Sequence, residues 1–469
     1  MNSKRISIIL FVLVLILSGS ESNGQQQVSL SLKEAQEYAL EHNYTLMNAR
    51  KDVIISREKV SETTAIGLPQ LNASVSYNNY LDIPTQLIPD FLSPAVIAVN
   101  QEIFGLEPTV PLPDEPQYFE AKFGLQHNMT WGATVSQLLF SGPYIVGLQA
   151  ARAYVDLSKS IVQKNEIDIR TNVAKAYYPI IILSENRSIM DSSMATLRDM
   201  LEETTAIYES GFMEDTDVDQ LELLVSEMES TILNIDNQIE NSRNLLKLNL
   251  GMDPETDILV TDNLNDFMAG VNREYLLNTP FDPENNIELK VIKNQEELAQ
   301  LDIKRQRSEY LPSLSAFYSY QENGMRDEFN FFDFSKEWFP TQVLGAQLDI
   351  PIWSSGSRKS KIDQAKLNLE KLNNMREQLE QSLSLTAATE RSEFNRSYLE
   401  YVNKNKSADL SRKIHQKTEI KYREGIASSL ELSQTYNQYM QAEINRLLAI
   451  LELLNKKSDL ENILTKVNN

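Results

Sequence analysis

The chain has 469 residues, 42% of them apolar, which is enough to build a core and excludes wholesale disorder. A formal charge of −22 excludes a charge-driven grip on nucleic acid or on an anionic lipid surface. Cysteine is absent, so disulfides, thiolate metal sites and a lipid-bearing N-terminal cysteine are ruled out.

The first segment, MNSKRISIILFVLVLILSGS, carries Lys4 and Arg5, an apolar run from Ile6 to Leu17 and then small residues. This is the layout of a secretory signal peptide, read here as residues 1–24 with cleavage between Ser18 and Gln25. Its apolar run is about a dozen residues, short of the roughly 20 that span a bilayer as a helix. No later segment is apolar enough to do so, and any entry into a membrane must then be as strands.

SLSLKEAQEYALEHNYTL (29–46) opens a helix expected to run to about Thr64, with Ser31 and Glu34 as the two halves of a capping box. A matching helix is expected over about 286–308. Pro69 and Pro312 stop these two, because a residue before proline avoids helical geometry.

Four strands follow the same period-2 rule. In HNMTWGATVSQLLF (127–140), Met129, Trp131, Ala133 and Val135 oppose Asn128, Thr130, Thr134 and Ser136. The stretches around Ala73–Tyr77, Leu314–Tyr320 and Leu344–Ile352 alternate likewise. Residues 81–126 hold seven prolines, too many for regular structure. Residues 321–340 hold Phe329, Phe331, Phe332, Phe334, Trp338 and Phe339, which fit either a membrane-interface belt or a small core within a loop.

The strongest periodicity lies after the strands. Ile169, Val173, Ala176, Ile180, Leu183, Arg187, Met190, Met194, Leu197, Leu201, Thr204 and Tyr208 step by 4 and 3, a heptad seam with two polar members. Leu221, Val225, Met228, Ile232, Ile235, Ile239, Ser242 and Leu246 answer on the same rhythm, so an antiparallel hairpin is expected. A helix of 66 residues is about 100 Å long.

These signals occur twice. LPQLNASVSY (68–77) returns as LPSLSAFYSY (311–320), and QLLFSG (137–142) as PIWSSG (351–356). YESGFMEDTDVDQLEL (208–223) returns as YREGIASSLELSQTYN (422–437), and Gly142 to Tyr208 spans the same 66 positions as Gly356 to Tyr422. The domain reading is a first repeat over 28–250, a linker or equatorial region over 251–285 and a second repeat over 286–469. Four strands in lipid would leave open edges, so the chain is expected to oligomerise; eight strands from a dimer and twelve from a trimer both satisfy the backbone.

The signal peptide, the SLKEAQEYALEHNYTL opening, both Leu-Pro-x-Leu strands, LLFSG and IPIWSSG before long helices, and the doubled Tyr-x-x-Gly turns together resemble the TolC-type outer-membrane efflux protein family over residues 28–466. The resemblance implies a mixed α/β membrane protein. Its fold would be a trimeric 12-stranded outer-membrane β-barrel, four strands per protomer, continuous with a long periplasmic α-helical coiled-coil barrel. It implies a passive duct, not an enzyme, working with a periplasmic adaptor (membrane fusion protein) and an inner-membrane transporter of RND or ABC type. The contacts implied are a homotrimer and outer-membrane lipid; no nucleic acid and no cofactor are called for. Drugs, metal ions and secreted polypeptides are all cargo of the family.

The same resemblance makes the Tyr-x-x-Gly turns periplasmic gate tips where adaptors dock: Tyr208, Gly211 and Asp217 in the first, Tyr422, Gly425, Glu431 and Gln434 in the second. Glu431 falls where the family commonly has a constricting aspartate, and Asp217 where a first-tip aspartate helps hold the closed state. Ala427 replaces a latch arginine of some members and Gln434 a second acidic ring, so an Arg–Asp latch is lost while a Tyr422–Asp217 hydrogen bond stays open to the chain.

Plainer roles compete. Ser428 and Glu431 also read as a capping box. EDTDVD (214–219) lacks the glycine and the twelfth-position glutamate of a calcium loop, which leaves helix capping and the helix dipole. His42, His127 and His415 are scattered and form no metal motif. Apart from a duct, the pattern fits a secreted coiled-coil rod with soluble sheets.

Overall fold

The computed structural model describes residues 27–90, 92–105 and 118–466. The expected signal peptide and four of the seven prolines of 81–126 lie outside the described residues.

In chain order the elements are β1 (Val28–Leu30), α1 (Leu32–His42), α2 (Tyr44–Ile66), β2 (Gln70–Asn79), β3 (Thr85–Pro89), α3 (Leu92–Phe104), β4 (Tyr118–Lys122), β5 (His127–Phe140), α4 (Gly142–Glu209) and α5 (Asp215–Leu250). There follow β6 (Ile258–Val260), α6 (Leu264–Ala269), α7 (Arg273–Asn278), a 3₁₀ turn (Pro283–Asn285), α8 (Ile287–Ser308), β7 (Ser313–Arg326), β8 (Phe339–Asp349), α9 (Ser357–Arg423) and α10 (Ser429–Leu464). The described residues divide into two compact units, one within 27–57, 152–299 and 367–466, the other within 58–151 and 300–366.

In the first unit the heptad seam of α4 packs as its spacing predicts. Ile169, Val173, Ala176, Ile180, Met190, Met194 and Leu197 are buried, and Leu221, Met228, Ile235, Ile239 and Leu246 of α5 answer them. Between 173 and 182 nearly every side chain of α4 is buried, because α1, α5, β6 and α10 all contribute to one cluster there. Tyr177 donates to the Leu30 carbonyl at 2.8 Å and Tyr178 shares a 3.1 Å bond with Ser458, so both buried hydroxyls are satisfied. Pro179 stands inside this stretch of helix. The region 251–285 adds β6, which pairs in parallel with β1, and the short helices α6 and α7.

The single helix expected from Ser31 to Thr64 is two. The capping box of Ser31 and Glu34 is present, but the helix ends at Asn43. The Asn43 carboxamide accepts from the amides of Thr45 (2.9 Å) and Leu46 (3.3 Å) and donates to the Asn249 carbonyl at 2.8 Å, so it ends α1 and starts α2. The end of α5 passes close by. Gly251 has φ +73°, and a Cβ there would lie 2.4 Å from the His42 carbonyl oxygen.

In the second unit β2, β5, β7 and β8 form one antiparallel sheet in the order β2-β5-β7-β8. The register Val75↔Trp131, Ala133↔Tyr320 and Tyr318↔Leu344 lays one apolar face across all four strands. Ser76↔Thr130, Thr134↔Ser319 and Gln321↔Thr341 lay a polar one on the other side. Much of the apolar face stays exposed, with Leu71, Val75 and Leu344 among its open side chains, and the edges β2 and β8 carry no partner strand among the described residues.

Two expectations need correcting here. Residues 81–126 are not devoid of regular structure: β3 and β4 make an antiparallel ribbon and α3 lies between them. The prolines fit because Pro84 precedes the ribbon, Pro89 ends β3 and Pro94 falls in the first turn of α3, where its missing N–H is not needed. The aromatic stretch is shorter than 321–340, since β7 runs through Arg326 and β8 begins at Phe339. Phe331 is buried against Phe329 and Trp338, and these rings meet Tyr77 and Trp131 of the apolar face. Phe332 and Phe334 remain exposed, so the loop has both a small core and a free aromatic edge.

Candidate functional site

The two hairpin tips, between α4 and α5 and between α9 and α10, hold every residue singled out in the Tyr-x-x-Gly motifs. The repeated tyrosine and glycine have a backbone explanation. Gly211 (φ +80°) and Gly425 (φ +71°) are left-handed, and each donates its amide three residues back, to Tyr208 at 2.8 Å and Tyr422 at 2.9 Å. The next amides, of Phe212 and Ile426, reach five residues back to Ile207 and Lys421. This is the Schellman arrangement, which closes the last carbonyls of a helix and requires a residue tolerant of positive φ.

The tips are not equivalent. Tyr422 is 6% exposed and Tyr208 is 43% exposed. Tyr422 and Leu432 join a methionine-rich cluster with Met194, Met200 and Leu221, whereas Phe212 and Ile426 stand out in solvent. The Tyr422–Asp217 hydrogen bond that the sequence leaves open is not formed. The Tyr422 hydroxyl instead pairs with Thr204, the buried polar member of the seam, at 3.0 Å. Burial pushes the Tyr422 phenol up, the Thr204 bond opposes this, and the Asp217 charge adds to the rise.

Asp217 does bridge the two hairpins, through a residue the motif did not mark. Its carboxylate accepts from the hydroxyl of Ser429, so the first turns of α5 and α10 are joined. The Ser429 hydroxyl also lies 2.9 Å from Gln220 Oε1, a second acceptor beside the Asp217 carboxylate. The signal was the second serine of Ser428-Ser429: the first caps α10, accepting from the Glu431 amide at 3.2 Å, and the second is free to cross the interface.

Glu431 supplies only half of a capping box: its amide is used but its carboxylate is exposed, as is Gln434 one turn on. Ala427 is partly buried and packs against the tip cluster. At the start of α5, Asp215 and Asp217 occupy the first turn, where the helix dipole favours them, while Glu214 makes no side-chain cap.

Above the tips lies a charged group that the periodicity concealed. Glu443 is 0% exposed and is held by Arg412 and by Arg446 at 2.7 Å. In the same region His415 stacks on Tyr439 at 5.6 Å and meets Tyr436 edge-on, and burial lowers its pKa. Arg187, the other polar seam residue, pairs with Asp191 and with Asp236 at 2.9 Å. No cluster of metal-ligating side chains occurs among the described residues.

One unit thus holds paired helical hairpins with closed tips, and the other a two-faced sheet whose edges are unpaired among the described residues. The comparisons agree. Residues 283–466 match the outer membrane efflux protein family. Three solved structures share the fold. CusC has 16% identity, a TM-score of 0.68 and coverage of 96% of both chains. The open state of the MtrE outer membrane channel of Neisseria gonorrhoeae has 17%, 0.66, and 92% of this chain with 88% of that one. The outer membrane protein VceC of Vibrio cholerae has 13%, 0.64, and 93% with 96%. None of the curated proteins matches the sequence. The resemblance to outer-membrane efflux proteins therefore holds over residues 283–466 by the family match, and across most of the chain in fold. The matched family is one of transport, not of catalysis.

Proposed function

We propose that the chain is one protomer of a trimeric exit duct, a passive conduit between a periplasmic adaptor with its inner-membrane pump and the exterior. One observation carries this reading: the four-stranded sheet has an exposed apolar face, a polar face and two edges that are unpaired among the described residues. In lipid such edges are too costly to leave open, and single-chain barrels begin at eight strands, so sister chains must complete the wall. A trimer gives twelve strands and twelve helical columns, with Tyr208, Gly211, Asp217, Tyr422, Gly425, Glu431 and Gln434 of each copy at a periplasmic gate. The helices of the hairpins would continue the duct, and the exposed Phe212 and Ile426 offer apolar contacts to an adaptor.

Fractionation and conductance test this. The mature protein should enter the outer-membrane fraction, run as an SDS-resistant oligomer and conduct ions in planar bilayers. A soluble, detergent-independent monomer would be the coiled-coil rod instead.

A further inference from the structure

The helix α3 is apolar nearly all round. Val96, Val99, Ile103 and Phe104 are exposed, and of its thirteen residues only Glu102 is charged. A helix of that composition is ordinarily buried, so something covers it in the working protein.

The register shows on which side of the sheet it is rooted. Asn78 pairs with Asn128 and Thr130 with Asn323, which puts all four on the polar face. Ile83, Pro84 and Phe123, at the two roots of the β3–β4 ribbon, line a hollow of about 350 Å³ together with those four residues. The ribbon that carries α3 thus leaves from the polar face. The aromatic loop between β7 and β8 covers the opposite, apolar face, where Trp338 meets Trp131.

In a barrel the apolar face meets lipid and the polar face the lumen. Lipid is then on the wrong side to cover α3. Anionic headgroups have nothing to hold either, since Lys122 is the one basic residue between 79 and 125 and it is paired with Asp82 at 2.9 Å. What a closed barrel does bring to the lumen side is the same ribbon from its sister chains.

We propose that α3 packs against α3 of a second copy of this chain across the outer mouth, through the Val96–Val99–Ile103 stripe. The contact makes an apolar collar at that mouth. It rests on the oligomeric channel reading.

The chain has no cysteine, so Val99→Cys in the full protein introduces a single thiol. Oxidation with copper phenanthroline should yield a disulfide-linked dimer at about tenfold the level given by Val135→Cys, which lies on the apolar face of the inner strand β5. Ile103→Cys, one turn further along the stripe, should behave like Val99→Cys. If both thiols stay unlinked while light scattering shows the trimer, whether they are open to maleimide or masked by another molecule, this inference falls and the channel stands. A monomer in light scattering removes the channel reading and this contact with it.

Discussion

The Tyr422 hydroxyl and the Thr204 hydroxyl lie 3.0 Å apart inside the seam between the two hairpins, both buried. Thr204→Val leaves the tyrosine without a partner and should cost about 1–3 kcal/mol locally, whereas adding Tyr422→Phe should cost less than the two single changes together. Hydrogen exchange of the amides flanking both tips reads this. The pH dependence has a fixed sign. The folded phenol has a raised pKa, so its contribution is intact below about pH 10 and declines as pH climbs from there toward the folded value. Tyr422→Phe should remove that alkaline loss.

Ser429→Ala should loosen the junction between α5 and α10, because the Asp217 carboxylate then loses its cross-hairpin donor. The site is partly exposed, so a loss of about 1 kcal/mol is expected, roughly a fivefold rise in local opening. Asp217→Asn keeps an acceptor oxygen and should lose less. Exchange rates in the first turns of α5 and α10 separate the two variants.

These two bonds show what the sequence makes legible. Seam, strands and tips follow from spacing: residues 127–140 form one strand and Gly211 and Gly425 close their helices, since periodicity and positive φ are properties of consecutive residues. The partner of Tyr422 is not such a property. The charge of Asp217 acts on it, but the bond goes to Thr204, and packing between segments far apart in the chain makes that choice. The break at Asn43 was equally hidden. HNYT carries an Asx cap, but only the passage of Gly251 beside His42 makes ending the helix there better than continuing it. The ribbon within 81–126 was missed because counting prolines ignores the turns, ends and first helical residues where proline costs little.

Two left-handed glycines should respond differently to alanine. At Gly211 nothing lies within 4 Å of an added Cβ, so Gly211→Ala should cost only the backbone strain, about 1–2 kcal/mol. At Gly251 the Cβ would sit 2.4 Å from the His42 carbonyl oxygen, so Gly251→Ala adds overpacking and should exceed that cost by a further 1–3 kcal/mol or so. Thermal or denaturant unfolding of the helical portion ranks them.

Glu443→Ala should be among the more damaging single changes in the hairpins. It removes the one carboxylate between Arg412 and Arg446 and leaves their charges facing each other in a buried seam. Breaking a buried pair in this way typically costs about 3–5 kcal/mol, and the partial exposure of Arg412 argues for the lower end. Glu443→Gln, which keeps the shape, should recover part of the loss in the same unfolding measurement.

Glu431→Gln tests the proposed gate. The carboxylate is exposed and its side chain is not committed to the helix cap, so in an oligomer several copies are free to face a common axis and favour cations. The variant should lower cation preference in single-channel recordings without disturbing the start of α10. Ser428→Ala is the complementary change: it removes the hydroxyl that accepts from the Glu431 amide and should cost about 1 kcal/mol at that helix end while leaving selectivity alone. Unaltered selectivity in Glu431→Gln would assign the residue to the helix start alone, because a charge that lines a narrow passage must alter the ions that cross it.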